Sequence, residues 1–540
     1  MNSVQEFDSS TAGSGRLKPC WLSFGIAVVL LLGLALFFCT GVIASDDTLY
    51  LEIARHWRPG DAIAEMTSCH GRIAMWYPIR VATWLMGDSW RSLIWLPLLS
   101  AGIALAAVAV AGRRWFGNRA ALVAVVSLGL TTHFLIGATI ALPDIVTAAA
   151  VAVAVALVGP ILLQKQCRRA WLPALVSGLV IGVGYSAKEV TALLVPSLGL
   201  FVLLRRAGSG WAWRRLGLVG LGALLWLVFE GAFLWHYTGD PLFHYSSARD
   251  SQVEYGAALT ELTLVNLLEH WTEYARWLMD PGYAFRWWGP VYLAAVMFAL
   301  VKSNDKTRLL LCVLLGVGSY LSVGSSDLGS YYPLWHQPRY LVPLMPIGAL
   351  LIGYAVDWLW QGRRMVVWPT AVVAVGLVVG SLFWANQLAG RWYAAREFTA
   401  GRMLFSRFDP PPVWRNRICA SGHTGYRLKL LFEEAELGEI LRIEEPPQSA
   451  TEWSRRFGGW YVVVSGPDRR SAEGGSRRIL LPPASVAALA DFGIVASAAP
   501  PSTRAGEVFA RLKLVPLQTD PADRIDVFKI PVHLAEAGYD

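Results

Sequence analysis

Two adjacent carboxylates follow a long apolar run in the segment Ser45-Asp46-Asp47-Thr48-Leu49-Tyr50. Paired acids at a membrane boundary are costly when desolvated, so they need a physical reason. One reason is structural: Ser45, Asp46 or Asp47 can cap a helix running to about Trp57, with negative charge at its N-terminus. The other is chemical: a carboxylate fixed beside an acceptor hydroxyl can take its proton as a general base. The two are compatible, because a capped helix end holds a carboxylate rigidly.

Cations and further polar residues recur at the ends of other apolar runs. Arg72, in His70-Gly71-Arg72, could bind a phosphate or simply meet solvent and lipid headgroups. Lys188-Glu189 separates two short apolar stretches and is either a solvated turn or, through Lys188, a phosphate ligand. Asp327, Tyr331, Tyr332, His336 and Arg339 precede another run; Arg339 could snorkel or clamp a phosphate with its forked donors. Pro143-Asp144 opens an Ala/Val/Ile-rich run, where Asp144 either caps the helix or supports Asp46. Of the nine His, His56, His70, His236, His244, His270 and His336 fall on the predicted outer side. None has paired zinc spacing, so no metal ligand is assigned, although a divalent metal stays open as a cofactor. No nucleophilic triad and no nucleoside-triphosphatase phosphate loop is present.

The elements that must position these residues are membrane helices. The 540-residue chain is 55% hydrophobic and 16% charged, against about 25% charge in soluble domains. Its mean hydropathy is +0.43, and 25 Trp favour membrane–water boundaries. The net charge of +8 comes in short clusters between apolar runs, with no nucleic-acid motif. Six scattered Cys make no disulfide framework, with a Cys69–Cys419 bridge left open.

Residues 21–43 form a first span; a cleaved secretory signal is the competing reading, but the run exceeds a typical signal core. Ten more runs follow, at about 92–112, 119–141, 144–164, 171–186, 189–204, 216–236, 287–301, 309–323, 339–357 and 366–387. Starting inside, every predicted cytoplasmic turn is basic: Arg113, Arg114 and Arg119; Lys165, Arg168 and Arg169; Arg205, Arg206, Arg214 and Arg215; Lys302, Lys306 and Arg308; Arg363 and Arg364. Residues 171–204 must then be a hairpin, because a single crossing would place Lys302 to Arg308 outside. The expected architecture is a mainly α polytopic bundle of about 11 spans. It comprises a cytoplasmic tail (1–20), a membrane domain (21–389) with outer loops 44–91 and 238–286 carrying juxtamembrane helices, and a small extracytoplasmic α/β domain (390–540). In the last, Trp460 to Val464 reads as a buried strand and Thr424 to Leu437 as an amphipathic helix.

With these residues in view, the chain resembles the C-type (GT-C) membrane glycosyltransferases, in particular the protein mannosyltransferase group and the bacterial aminoarabinose transferases. The likeness rests on the acidic pair with Tyr50 and on Pro143-Asp144. It also rests on Tyr185-Ser186-Ala187-Lys188, Gly239-Asp240-Pro241-Leu242-Phe243 and Arg339-Tyr340-Leu341-Val342-Pro343-Leu344-Met345-Pro346. It covers about residues 20–350. Two departures stand out: the second acid, often Glu in that group, is Asp47, and the usual Lys-Pro-Pro stretch is only approximated by His70-Gly71-Arg72 and Tyr77-Pro78. The resemblance implies sugar transfer from a polyprenyl-phosphate-linked donor to a hydroxyl of lipid A, a glycan or a protein, at the periplasmic side of a bacterial inner membrane. Asp46 would be the base, with Asp47 orienting or assisting. Tyr50, Arg72, Asp144, Lys188, Arg339 and Tyr340 would bind substrate. A lipid-linked sugar flippase and an envelope assembly scaffold are the competing classes; a flippase would often show repeated halves, which are absent.

Overall fold

The computed structural model describes residues 18–39, 46–61, 67–87, 91–165, 169–205, 210–256, 264–280, 285, 287–325, 334, 336–362 and 376–385. Beyond these it describes 418–421, 441–443, 448–457, 461–464, 489, 492, 494–498 and 525–529. The membrane part is helical: α1 (Lys18–Phe37), α2 (Asp46–His56), α3 (Ser68–Gly71), α4 (Ile73–Met86), α5 (Ser92–Phe116), α6 (Asn118–Leu130), α7 (Thr132–Gly137) and α8 (Pro143–Leu163). There follow α9 (Trp171–Ala187), a 3-10 turn (Glu189–Leu193), α10 (Leu194–Leu204), α11 (Gly210–Thr238), α12 (Phe243–Gly256), α13 (Leu264–Met279), α14 (Trp288–Val301), α15 (Asp305–Val323), a second 3-10 stretch (Pro338–Leu344) and α16 (Met345–Gly362).

Five of these segments are long and apolar enough to cross a bilayer unaided, and six shorter apolar helices accompany them among the described residues. Apolar side chains such as Val29, Leu30, Leu99, Val228, Met297 and Val301 are exposed on their outer faces. Water would not tolerate that girdle, but hydrocarbon does. The protein is a multi-pass membrane protein. Helix α8 sits at the centre, with 83% of its apolar window buried, while α11 faces outward with 22%. Helix α9 packs between them. Its approach to α11 is close because Gly178 and Gly222 face each other's helix; a Cβ on Gly178 would lie 2.0 Å from the Val219 carbonyl oxygen.

Residues 171–204 form the expected hairpin. Lys188 interrupts the helix in an extended conformation (φ −160°, ψ 131°). Its Nζ meets Asp144 at the start of α8, while Arg205 donates to the carbonyls of Leu162 and Leu163 at the end of α8. The return limb therefore runs back along α8, whose 21 residues span about 30 Å.

One expectation changes, and two alternatives left open by the sequence are decided. The run at 119–141 is not one helix: it breaks at Thr131 (ψ 123°), whose hydroxyl bonds back to Ser127 O at 2.8 Å and reaches Tyr292 Oη at 2.8 Å. Asp144 does not cap α8, because Leu142 occupies that position and the carboxylate turns to Lys188. Cys69 is a free, buried thiol, held up to about 12 by burial, and forms no bridge to Cys419.

Towards the C-terminus the described strands are β1 (Ile418–Ser421), β2 (Leu441–Ile443), β3 (Tyr461–Val464), β4 (Ile494–Ala498) and β5 (Ile525–Lys529), in the order β2-β1-β3-β5-β4. Strand β1 pairs in parallel with β2 and β3, and β5 runs antiparallel to β3 and β4. The expected strand around Trp460–Val464 is β3, and Val462 is fully buried. The helix expected at Thr424–Leu437 lies outside the described residues.

Candidate active site

Asp46 and Asp47 form the first turn of α2. The helix is anchored from its other end: Arg80 of α4 donates to the carbonyls of Ile53 (3.0 Å), Ala54 (2.7 Å) and Trp57 (2.7 Å). These are orphan acceptors of a helix C-terminus, where a guanidinium is favoured. Asp47 is buried, and its Oδ1 accepts from the Thr48 N–H at 2.9 Å. Asp46 is less buried, and its charge acts on Arg72, Arg339 and Tyr340.

Tyr50 lies one turn further along α2 and is completely buried. Its hydroxyl accepts from Arg72 Nη1 at 3.0 Å, and burial raises its pKa well above the usual phenol value. Arg72 links α3 to α4, and its Nε is buried with no hydrogen-bond acceptor. An unpaired buried guanidinium N–H is expensive, so this nitrogen offers a place for an incoming anion. Gly71 allows the approach: a Cβ there would sit 2.8 Å from the His244 Cα of α12.

Asp144, Lys188, Arg339 and Tyr340 converge from three other elements. Lys188 Nζ lies 2.6 Å from Asp144 Oδ1 and 3.4 Å from the centre of the Tyr340 ring. Arg339 Nε lies 3.8 Å from Asp144 Oδ2 and donates to Gln337 Oε1 at 2.6 Å. Asp144 and Lys188 are buried, which rules out the solvated-turn reading of Lys188. Asp144 Oδ2 has no hydrogen bond of its own. His133, also buried, lies within the electrostatic reach of Asp144 and Arg339.

All eight residues singled out from the sequence therefore belong to one end of the bundle, tied by direct contacts or by charge. Two groups are joined by Asp46: Tyr50 with Arg72, and Asp144 with Lys188, Arg339 and Tyr340. Of the residues expected beside Arg339, Asp327, Tyr331 and Tyr332 lie outside the described residues.

The sequence reading missed a second charged group beside this one. His244 of α12 places Nδ1 2.9 Å from Glu230 Oε1 and Nε2 3.2 Å from Glu189 Oε1. Burial alone would lower its pKa, but hydrogen bonds and charge from Glu189 and Glu230 outweigh this and raise it to about 9. His244 is thus an imidazolium at neutral pH. It bolts α12 to α11 and to the turn carrying Lys188, and Glu189 also feels Arg72. The available signal was Glu230, a carboxylate within the apolar run 216–236.

Comparison with known proteins shows that this helical membrane bundle, with its buried opposed charges gathered at one end, has the fold of a solved membrane protein, ArnT. Residues 72–235 match the family described as dolichyl-phosphate-mannose-protein mannosyltransferase. That stretch carries Arg72, Asp144 and Lys188 but neither Asp46 nor Arg339. Among solved structures, ArnT from Cupriavidus metallidurans bound to undecaprenyl phosphate superposes with a TM-score of 0.54 at 15% identity, over 96% of this chain and 99% of that one. The apo state of the same protein gives 0.49 at 15% identity, over 83% and 93%. The oligosaccharyltransferase of Archaeoglobus fulgidus gives 0.48 at 11% identity, over 82% and 68%. No curated protein sequence matches the chain.

Proposed function

We propose that the protein transfers a sugar from a polyprenyl-phosphate-linked donor to a hydroxyl-bearing acceptor at the outer face of a bacterial inner membrane. The observation that carries this reading is the position of Asp46, a carboxylate in the first turn of α2, whose charge acts on two arginines, Arg72 and Arg339. Base and leaving-group cations thus occupy one site.

The chemistry balances with these groups alone. Asp46 takes the proton of the acceptor hydroxyl, whose oxygen bonds to the anomeric carbon. The bond from that carbon to the phosphate oxygen breaks, and its electron pair leaves with the polyprenyl phosphate. Arg72, through its unpaired Nε, and Arg339 stabilise the departing charge. Lys188 adds positive charge, but its ammonium is already matched by Asp144, so its share is smaller. Tyr340 covers that pair, Tyr50 holds Arg72 in place, and Asp47 stiffens the helix start. Lipid A, a glycan hydroxyl and a protein hydroxyl all satisfy this scheme as acceptors. The undecaprenyl phosphate bound by the ArnT structure supports the donor class.

The test is transfer from a synthetic polyprenyl-phosphate sugar by purified protein in detergent, scored by mass spectrometry of candidate envelope acceptors. The reading requires sugar transfer that disappears in Asp46→Asn while binding of polyprenyl phosphate persists. Wild-type transfer rates in that variant would remove Asp46 as the base. Movement of intact lipid-linked sugar across vesicles, without transfer, would favour the flippase instead.

A further inference from the structure

A second cluster lies apart from the acidic pair, where α13 meets the segment leading to Arg339. His270 and Glu273 are three residues apart on α13 and so share a face. His336 enters from the chain just before the second 3-10 stretch. One nitrogen or oxygen atom from each of the three lies within 4.8 Å of the other two.

The hydrogen-bonding pattern leaves this cluster short of positive charge. His336 Nε2 lies 3.0 Å from the Ser322 carbonyl oxygen, which can only accept, so that nitrogen carries a proton. In neutral imidazole Nδ1 then bears a lone pair, and it points at Glu273 Oε2 in close contact. The third atom, His270 Nδ1, lies 3.9 Å from the same carboxylate oxygen and is buried with no hydrogen-bond partner. With the His270 proton on Nε2, three acceptors face one point. One proton on His336 would satisfy two of them and leave His270 orphaned.

We propose that His270, Glu273 and His336 bind one divalent metal ion of the zinc class. Two imidazoles and a carboxylate suit such an ion. Ligands at about 2.0–2.2 Å from a tetrahedral centre lie about 3.3 Å apart, so the side chains need to move by only about 1 Å. The Nε2–H of His336 bonded to the Ser322 carbonyl is the outer contact that fixes a metal-binding imidazole in its tautomer. The fourth position is left for water. The site ties α13, through Glu273 and His270, to a residue three positions before Arg339. The ion therefore positions the Arg339 segment and takes no part in bond making. Metal binding itself does not depend on the proposed transfer reaction.

The experiment titrates cobalt(II) into full-length, EDTA-treated protein in detergent and follows the visible absorption of the bound ion. We expect one tight equivalent, with bands of four-coordinate cobalt that zinc(II) abolishes by competition. His270→Ala and Glu273→Gln each weaken binding by at least about 100-fold, a larger loss than removal of an outer-shell partner. Both positions are partly exposed on α13, so neither change empties a core, and an unchanged elution volume and helical circular dichroism confirm the fold. His336→Gln gives the same loss. No stoichiometric cobalt binding by the wild type, or unaltered binding by all three variants, overturns the proposal. So does a wild-type cobalt spectrum of six-coordinate, all-oxygen type.

Discussion

The two ends of the helical bundle use charge in opposite ways. At one end, cations meet backbone carbonyls. Arg215 donates to Ile161 O, Gln164 O and Lys165 O at 2.6, 2.7 and 2.8 Å, Arg205 covers Leu162 and Leu163, and Lys306 reaches Trp115 O at 2.5 Å. These are helix C-termini, and the cations answer orphan carbonyls and helix dipoles while keeping contact with water. At the other end Arg80 also caps the carbonyls of α2, but there charge is in addition buried against charge: Asp144 with Lys188 and Arg339, and Glu189 and Glu230 with His244. The first arrangement stabilises and orients a membrane helix. The second costs desolvation, which a hydrophobic replacement would avoid, so it points to function.

That contrast can be broken most forcefully at Asp46. Asp46→Asn should cut the rate of sugar transfer by about 10²–10⁴-fold, the usual worth of a general base, with helix content and lipid-phosphate binding intact. Arg215→Gln in the same assay should leave the rate within about twofold; equal losses from both changes would erase the distinction between the ends.

Next comes the buried pair. Lys188→Ala leaves Asp144 with only the longer 3.8 Å contact to Arg339 and should destabilise the protein by up to about 3–5 kcal/mol, whereas Lys188→Met combined with Asp144→Leu should recover most of that loss. Thermal unfolding in detergent reads both. A melting point unmoved by Lys188→Ala would mean the pair is effectively solvated.

A third change concerns affinity. Arg339→Ala should weaken binding of polyprenyl phosphate by about tenfold to 100-fold, in line with about 1.5–3 kcal/mol for a hydrogen bond to a charged group. Lys188→Gln, whose parent ammonium is already committed to Asp144, should weaken it less. The reverse order would exchange the roles of these two cations.

The smaller effect is in pH. The pKa of His244 is raised from 6.5 to about 9 in the folded protein. Its stabilising contribution is therefore complete below about 6.5 and is lost as pH rises through about 9. The melting temperature should fall across that window and the fall should flatten in His244→Gln. A slope unchanged by that substitution would assign it to another group.

Much of this molecule is legible from its sequence because lipid is an unforgiving solvent. Apolar runs bounded by arginines must be helices, and the basic turns on both flanks of residues 171–204 put Lys188 at a hairpin tip. The acidic pair was legible as the first turn of α2 for the same reason, since adjacent carboxylates in a boundary segment need a helix end or a partner. The sheet order β2-β1-β3-β5-β4 was not legible, because strands of three to five residues carry too little pattern to specify their neighbours.

What the sequence determined by itself is which segments are apolar enough for lipid and which residues are costly enough to demand an explanation, since both follow from the free energy of placing each side chain in hydrocarbon. Only the tertiary structure decided which charges answer one another. Asp144 meets Lys188 across 44 positions, His244 meets Glu189 across 55, and His336 meets Glu273 across 63. Such pairings depend on how helices pack side by side, and helical periodicity fixes which face a residue occupies but not which helix lies opposite it.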